Sequence, residues 1–382
     1  MKSKKSTTKM KMNRKSNGSD ADSNLMGDKS NAQTIKGSQE AATSLIAFGC
    51  GAGGILVAAR QLDIVVAGVV DNDLASLQSI GTNFPTVERV IEQQNSEKHV
   101  EVCLALIANR KTHTSKIIVV AALPRIDSKS LNSREIVDER LLNIARVVVR
   151  CRAAIAIFEL DSTPHGCRFA PLGPAPYKLL SDGGYKIQIV NLNTKDFGLA
   201  LDRVRTFVFA SRRKLDREAI LDQIHSHSQN PSTIQNAIGD LPPDPPSRTD
   251  GAESPGESGG VYNHVPPQHA RKLIERLSRI TSVKKKGERY SRPSGDGTMA
   301  IVMGHRAPPL HFVANRALTP REMARLAGIP DSFIFEGNYG EQQYQSSSAS
   351  SPPLIKAVLA AARAATVSKT GATKTPKPKK PR

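Results

Sequence analysis

Apolar residues along this chain fall in short blocks set between longer amphipathic stretches. Blocks at 45–48, 64–70, 117–122, 153–158, 186–190 and 205–210 are apolar nearly throughout and read as strands. Between them, stretches at 55–62, 74–83, 97–109, 135–150 and 174–182 are compatible with helices. Strands apolar on both faces, alternating with helices, predict an α/β fold with a mostly parallel sheet covered on both sides. The alternation runs to about residue 213. A short helix is expected at 216–225, and the chain then turns to PPDPPSRTDGAESPGESGG, which predicts an exposed or disordered insertion over 238–262. The segment PPQHARKLIERLSRI (266–280) restores a helical stripe at Leu273, Ile274, Leu277 and Ile280. In RALTPREMARLAGIPDSFIF (316–335), Thr319 is placed to cap a helix, with Pro320 in its first turn and Glu322 completing a capping box. Gly328 and Pro330 then stop it. One more Ala-rich helix is expected at 352–365.

Composition adds limits. The 382 residues suffice for one large domain with a smaller one, or for two. No apolar run reaches ~18 residues, so no membrane-spanning helix is expected. The polar, Lys-rich start carries no apolar core of a secretory signal. Four cysteines (50, 103, 151 and 167) form no CxxC pair, which leaves a zinc site or disulfide framework unsupported and fits a reducing compartment.

The net charge is +19, and its distribution matters more than its size. Residues 1–42 hold nine Lys/Arg against four Asp/Glu, and residues 367–382 hold six Lys/Arg and no acid. Both read as disordered basic tails. The body between them keeps a net +8, enough to attract an anionic polymer without them. Beside the 266–280 stripe run Arg271, Lys272, Arg276 and Arg279, then Lys284, Lys285 and Lys286. Such a row could lie along a phosphate backbone, or be a solvated helix face.

The chemistry is densest in TSLIAFGCGAGGILVAARQLDIVVAGVVDND (43–73). A strand leads into Gly49, Gly51, Gly53 and Gly54, then a helix, then a second strand ending on Asp71. Glycines let backbone approach a ligand and pack helix against strand, and an acid ~20 residues on can accept hydrogen bonds from ribose hydroxyls. The same glycines could serve packing alone, and Asp71 could merely cap the next helix.

In this order, these pieces resemble the cytosine-5 DNA methyltransferase family over about residues 44–365. Gly51, Gly53 and Gly54 match the end of the family's Asp-Leu-Phe-x-Gly-x-Gly-Gly loop; Asp71 matches its ribose-binding acid, with Asn83-Phe84-Pro85 trailing. TPREMARLAGIPDSF (319–333) is similar to the family's ninth motif almost residue for residue. The resemblance implies a Rossmann-like S-adenosylmethionine-dependent methyltransferase fold and double-stranded DNA as partner. It also implies a division into a basic arm (1–42), a methyltransferase domain (43–213) and a small DNA-facing, target-recognition-like region (214–315). Helices at 316–366 would complete the fold before the basic tail (367–382).

The resemblance also breaks at named positions. Where the family carries Gly-Gly-Pro-Pro-Cys-Gln, this chain reads Ala121-Ala122-Leu123-Pro124-Arg125-Ile126. Arg125 stands at the nucleophile position, and a permanently protonated guanidinium offers no lone pair. Cys103, Cys151 and Cys167 all lie outside a Pro-Cys loop. The family's Glu-Asn-Val becomes Glu159-Leu160-Asp161, keeping the Glu that holds the flipped base. Its Gln-x-Arg-x-Arg becomes Leu201-Asp202-Arg203-Val204-Arg205, keeping both Arg, which could position a base carbonyl or phosphate or merely brace the sheet edge. Phe48 is one residue out of step with the family's aromatic, hence on the opposite strand face. Ser348-Ala349 replace a late Gly-Asn.

The expectation is therefore a catalytically inactive, DNA-binding relative with weakened S-adenosylmethionine binding, acting as a regulatory or accessory subunit. A working S-adenosylmethionine-dependent cytosine methyltransferase, with another nucleophile or with a complementing partner subunit, and an adaptor without nucleic acid, stay open. No membrane is implied. KTPKPKKPR would suit nuclear import in a eukaryote and equally a bacterial basic tail, leaving nucleus and cytoplasm or nucleoid both open.

Overall fold

The computed structural model describes residues 43–92, 97–108, 116–123, 131–161, 172–243, 257–258, 261–267, 269–280, 292–300 and 309–366. In chain order these form β1 (Ser44–Phe48), α1 (Gly54–Arg60), β2 (Val65–Asp71), α2 (Leu74–Asn83), β3 (Arg89–Ile91) and α3 (Glu97–Ala108). Next come β4 (Ile117–Ala122), α4 (Leu131–Arg150), β5 (Ile155–Asp161), α5 (Pro174–Asp182), β6 (Lys186–Asn193) and β7 (Val204–Ser211). The remainder is α6 (Arg217–His225), α7 (Ile234–Ile238), β8 (Glu257–Ser258), β9 (Val261–Tyr262), α8 (Arg271–Leu277), α9 (Pro320–Leu326), α10 (Tyr339–Ser348) and α11 (Pro352–Thr366).

Seven strands form one sheet in the order β3-β2-β1-β4-β5-β7-β6. Pairings from β3 through β5 are parallel, whereas β7 runs antiparallel to both β5 and β6. Alternation within each strand sorts residues between two faces. Leu45, Ala47, Ile118, Val120, Ile155, Ile157, Phe207 and Phe209 face a core closed by α1, α2, α6 and α11. Ile46, Phe48, Val119, Ala121, Ala156, Phe158 and Val208 face the core under α3, α4 and α5. The central strands are apolar along their whole length because both faces are covered. The fold is thus α/β and Rossmann-like, with a mostly parallel sheet.

Residues beyond 213 are built into this body. Leu215, Ile220 and Ile224 enter the same core as Leu354, Val358 and Leu359 of α11. A third, smaller core joins Ile234 and Ile238 of α7 to Leu318, Met323 and Leu326 around α9, with Leu199 and Leu201 beneath. The stretch expected to be disordered, 238–262, is ordered at both ends. Gly239 caps α7, and β8 pairs antiparallel with β9. Residues 1–42 and 367–382, read as basic tails, lie outside the described residues.

The capping box at α9 forms as its spacing requires: Thr319 accepts from the Glu322 amide while Glu322 accepts from the Thr319 amide. Gly328 follows the helix with φ +80°. Arg321 is fully buried; its Nε donates to the Tyr262 carbonyl (2.9 Å), Nη1 to Pro330 (2.9 Å) and Nη2 to Phe333, and its guanidinium lies over the Phe335 ring. This grip sets the Gly-Ile-Pro-Asp-Ser-Phe turn. Phe333 in turn packs against Phe84 beside the glycine-rich turn after β1.

Candidate functional site

The carboxyl ends of parallel strands at a change of strand direction are where open α/β sheets bind ligands. Here β1 and β4 are neighbours while the chain leaves β1 toward β2, and a cleft opens between their ends. Its lining includes Gly49, Gly51, Asp71, Asp73, Arg140, Glu159, Arg205, Tyr344 and Ser350.

The floor is the start of the glycine turn, Gly49 to Gly51, with Gly53 and Gly54 packed behind it against Phe333 and the Ser350 backbone. Gly49, Gly51 and Gly53 adopt φ of +58°, +48° and +76°, a region costly for residues with a side chain. A Cβ on Gly49 would stand 2.4 Å from the Ala122 carbonyl oxygen, and one on Gly54 1.9 Å from that of Ser350. Backbone of β4 and of the segment after α10 thus closes directly on this turn.

Asp71, buried at the end of β2, receives the Gly51 amide on Oδ2 (3.0 Å) and the Asp73 amide on Oδ1 (3.1 Å). Burial pushes its carboxyl above the ordinary range, against the opposing pull of those amides and of Arg140. The acid ties the glycine turn to β2. It does not cap α2. That role falls to Asp73, whose Oδ2 accepts from the Ser76 amide at 3.1 Å.

Across the cleft, Glu159 at the end of β5 is held from two sides. The Ser350 hydroxyl donates to its Oε2, and Arg205 of β7 brings Nε to 3.2 Å from Oε1. Strand register makes this pairing: Glu159 stands opposite Phe207 and Asp161 opposite Arg205, so Glu159 and Arg205 are diagonal neighbours on one sheet face. Arg203 points elsewhere, donating from Nη2 to the Ser347 carbonyl (2.6 Å) at the end of α10. Of the two arginines matched to the family pattern, only Arg205 lines the cleft.

Several lining residues were not singled out from the sequence. Arg140 reaches in from α4, its Nε donating to Glu92 Oε2 at 2.9 Å with Nη2 2.6 Å from the same oxygen. The signal was present: Arg140 sits four residues before Ile144 and eight before Val148, a cation on the buried face of an amphipathic helix. Tyr344 and Ser350 come from a polar stretch with no helical stripe. Cys50 lies inside the glycine turn, and burial and the nearby Asp71 push its thiol well above the usual cysteine value.

Burial has the same effect on the other described thiols. Cys103 is pushed to about 12 and Cys151 to about 11. Arg125 and Cys167 lie outside the described residues, as do Lys284, Lys285 and Lys286. On α8 and just past it, Arg271, Lys272, Arg276 and Arg279 are all exposed, and Arg271 pairs along the helix with Glu275. The expected apolar stripe is only partly used: Leu277 is buried, whereas Ile274 remains 43% exposed. Among the described residues there is no cluster of His, Cys, Asp or Glu able to hold a metal ion, and no helix long and apolar enough to cross a membrane.

The cleft suits a nucleoside-type cofactor on two grounds. Its floor is backbone kept free of side chains, and its walls hold two buried polar atoms, Arg140 Nη2 and Glu159 Oε1, each at ion-pair distance from an opposite charge but with no aligned hydrogen bond among the described residues.

Comparison with known proteins agrees with this geometry. The family model described as C-5 cytosine-specific DNA methylase matches residues 176–363. The type II methyltransferase M1.HphI of Haemophilus parahaemolyticus is 31% identical over 194 residues, covering 47% of this chain and 48% of that protein. The type II methyltransferase M.DdeI of Desulfomicrobium norvegicum is 26% identical over 226 residues, covering 47% and 54%. The matched region thus spans about half the length of these curated relatives. Among solved structures, a candidate DNA modification methyltransferase encoded within an E. coli prophage superposes with a TM-score of 0.67 at 18% identity, covering 84% of this chain and 98% of that one. The S. pombe Dnmt2 methyltransferase gives 0.54 at 13% identity, covering 83% and 97%. These two share the fold. The matched family model over residues 176–363 and the related sequences together support a place for this chain beside the cytosine-5 DNA methyltransferases.

Proposed function

We infer that this chain is a DNA-binding member of its family that does not itself transfer methyl groups, and that it serves as an accessory or regulatory subunit. The observation that carries this reading is Arg125 at the position of the family's nucleophilic cysteine. A covalent adduct to a pyrimidine ring needs a thiolate, and a guanidinium cannot supply an electron pair. The described thiols support the same reading. Cys50, Cys103 and Cys151 are buried, and all three are held in the thiol form by desolvation. The base-holding carboxylate is also engaged, since Glu159 is already met by Ser350 and Arg205.

Family members use S-adenosylmethionine, which supplies an electrophilic methyl group on sulfur when bound. In this chain Gly49 and Gly51 would give the ligand access to backbone, Asp71 holds that turn in place, and Tyr344 with Leu123 would shield the cleft from water. Relative to the family pattern, the displaced Phe48 is buried in the core under α3 and α4, away from the cleft, which supports weakened cofactor binding. Double-stranded DNA would be met by Arg271, Lys272, Arg276 and Arg279, with Lys284, Lys285 and Lys286 beyond them, giving salt-sensitive and largely sequence-independent affinity.

A second reading has its own support. The match covers about half of each curated relative, and those relatives are named as methyltransferases. A partner subunit bringing a thiol would then complete an active enzyme. One experiment separates the two: transfer of a radiolabelled methyl group from S-adenosylmethionine to duplex DNA, with binding to the same duplex measured at low and moderate salt. The expected result is binding that falls with salt and no incorporation by the wild-type chain, tested beside Arg125→Cys. Incorporation into cytosine by the wild-type chain alone refutes the inactive reading, and absence of duplex binding at low salt refutes the DNA role.

A further inference from the structure

We propose that Arg140 is the receptor for the carboxylate at the amino-acid end of the ligand this cleft takes. The proposal rests on the cofactor reading above and adds a residue that none of the family-like motifs in this chain contains. Arg140 arrives from the buried face of α4, and its Nη2 lies 3.4 Å from the point a Cβ on Gly49 would occupy. The guanidinium therefore sits over the glycine turn, on the side-chain-free floor of the cleft.

Its bonding is incomplete. Glu92 offers a single oxygen, Oε2, to both Nε and Nη2, at 2.9 and 2.6 Å. Nε takes the aligned bond. Nη2 is buried from solvent, and among the described residues no acceptor lines up with its hydrogens. A buried charged donor left in this state is costly, and the group that best satisfies a guanidinium edge is a planar carboxylate. The other cation in the lining, Arg205, already faces Glu159. Asp71 and Asp73, in the same lining, match the ammonium of that amino-acid group in sign. S-adenosylmethionine and its demethylated thioether both carry that group, whereas an adenosine thioether with a bare methyl does not.

That difference supplies the test. Calorimetry on the full chain would compare S-adenosylhomocysteine with 5′-methylthioadenosine for wild type, Arg140→Met and Arg140→Lys. Arg140→Met is expected to weaken S-adenosylhomocysteine roughly 10- to 100-fold, the range for losing a charged hydrogen bond. The same variant should leave 5′-methylthioadenosine within about two-fold, and Arg140→Lys should recover part of the loss. Glu92→Gln, which removes the competing charge, should tighten S-adenosylhomocysteine alone. Equal weakening of both ligands, or of neither, overturns the proposal and leaves Arg140 a structural partner of Glu92. A wild-type chain that binds neither ligand overturns the cofactor reading itself, a distinct outcome. If Arg140→Met does not fold, Arg140→Lys and Glu92→Gln decide alone, and unchanged selectivity in both overturns the proposal.

Discussion

Acid should destabilise this protein through His311, and the size of the effect follows from its surroundings. The ring is buried, and its Nδ1 accepts two backbone bonds, from Val313 (3.0 Å) and Ala314 (2.9 Å). Protonating Nδ1 would set an N–H against two N–H groups. Burial, with Arg316, Arg292 and His264 nearby, lowers its pKa to about 4, against the opposing pull of Glu322. In the unfolded chain the same ring takes its proton near 6.5. Below that value the unfolded state binds more protons. Stability is therefore full above pH 6.5, falls as the pH drops, and stops falling near pH 4, where both states are protonated. The whole interval corresponds to about 3 kcal/mol and the part down to pH 5 to about 2 kcal/mol. His264 and His269 are also lowered by burial and add in the same direction. The assay must therefore isolate one ring. Urea denaturation of wild type and His311→Asn, at pH 7.5 and pH 5, does so, because the asparagine oxygen can accept the same two amides without titrating. The stability gap between the two proteins should shift by about 2 kcal/mol in favour of the variant on acidification. Parallel pH profiles would refute the reasoning.

Two further outcomes are expected. Glu322→Ala removes both oxygens that Arg316 holds at 2.7 and 2.8 Å in a buried fork, and should cost about 3–5 kcal/mol in chemical denaturation. Gly54→Ala drives a methyl against the Ser350 carbonyl; the backbone shift should cost roughly 1–3 kcal/mol and lower Tm while far-UV circular dichroism is retained.

Much of the sheet was legible because fully covered strands must be apolar on both faces. β1, β2 and β4 announce themselves this way, and Thr319 and Gly328 mark the two ends of α9. The three-residue edge strand β3 gave no such signal; Arg89 and Ile91 are exposed. α10 was hidden for the opposite reason. Its buried face is Gln342, Gln345 and Ser346, held by hydrogen bonds rather than by apolar contact, so no stripe appears in YGEQQYQSSS. The same holds for the cleft. Glycines and Asp71 stand out in the sequence, but Arg140 becomes visible only when α4 is laid on the sheet, and Ser350 only when the segment after α10 folds back. Pattern reading finds what a side chain does along its own element. It misses what distant backbone brings to it.

The contact between Gly54 and Ser350 has a consequence for how the molecule is made. The two positions are separated by almost three hundred residues, and α11, just beyond Ser350, covers α1. During synthesis the cleft cannot reach its final shape until the chain as far as α11 has left the ribosome. Until then Ile55, Leu56 and Ala59 lack their covering, a sticky surface that a nascent-chain chaperone would be suited to shelter.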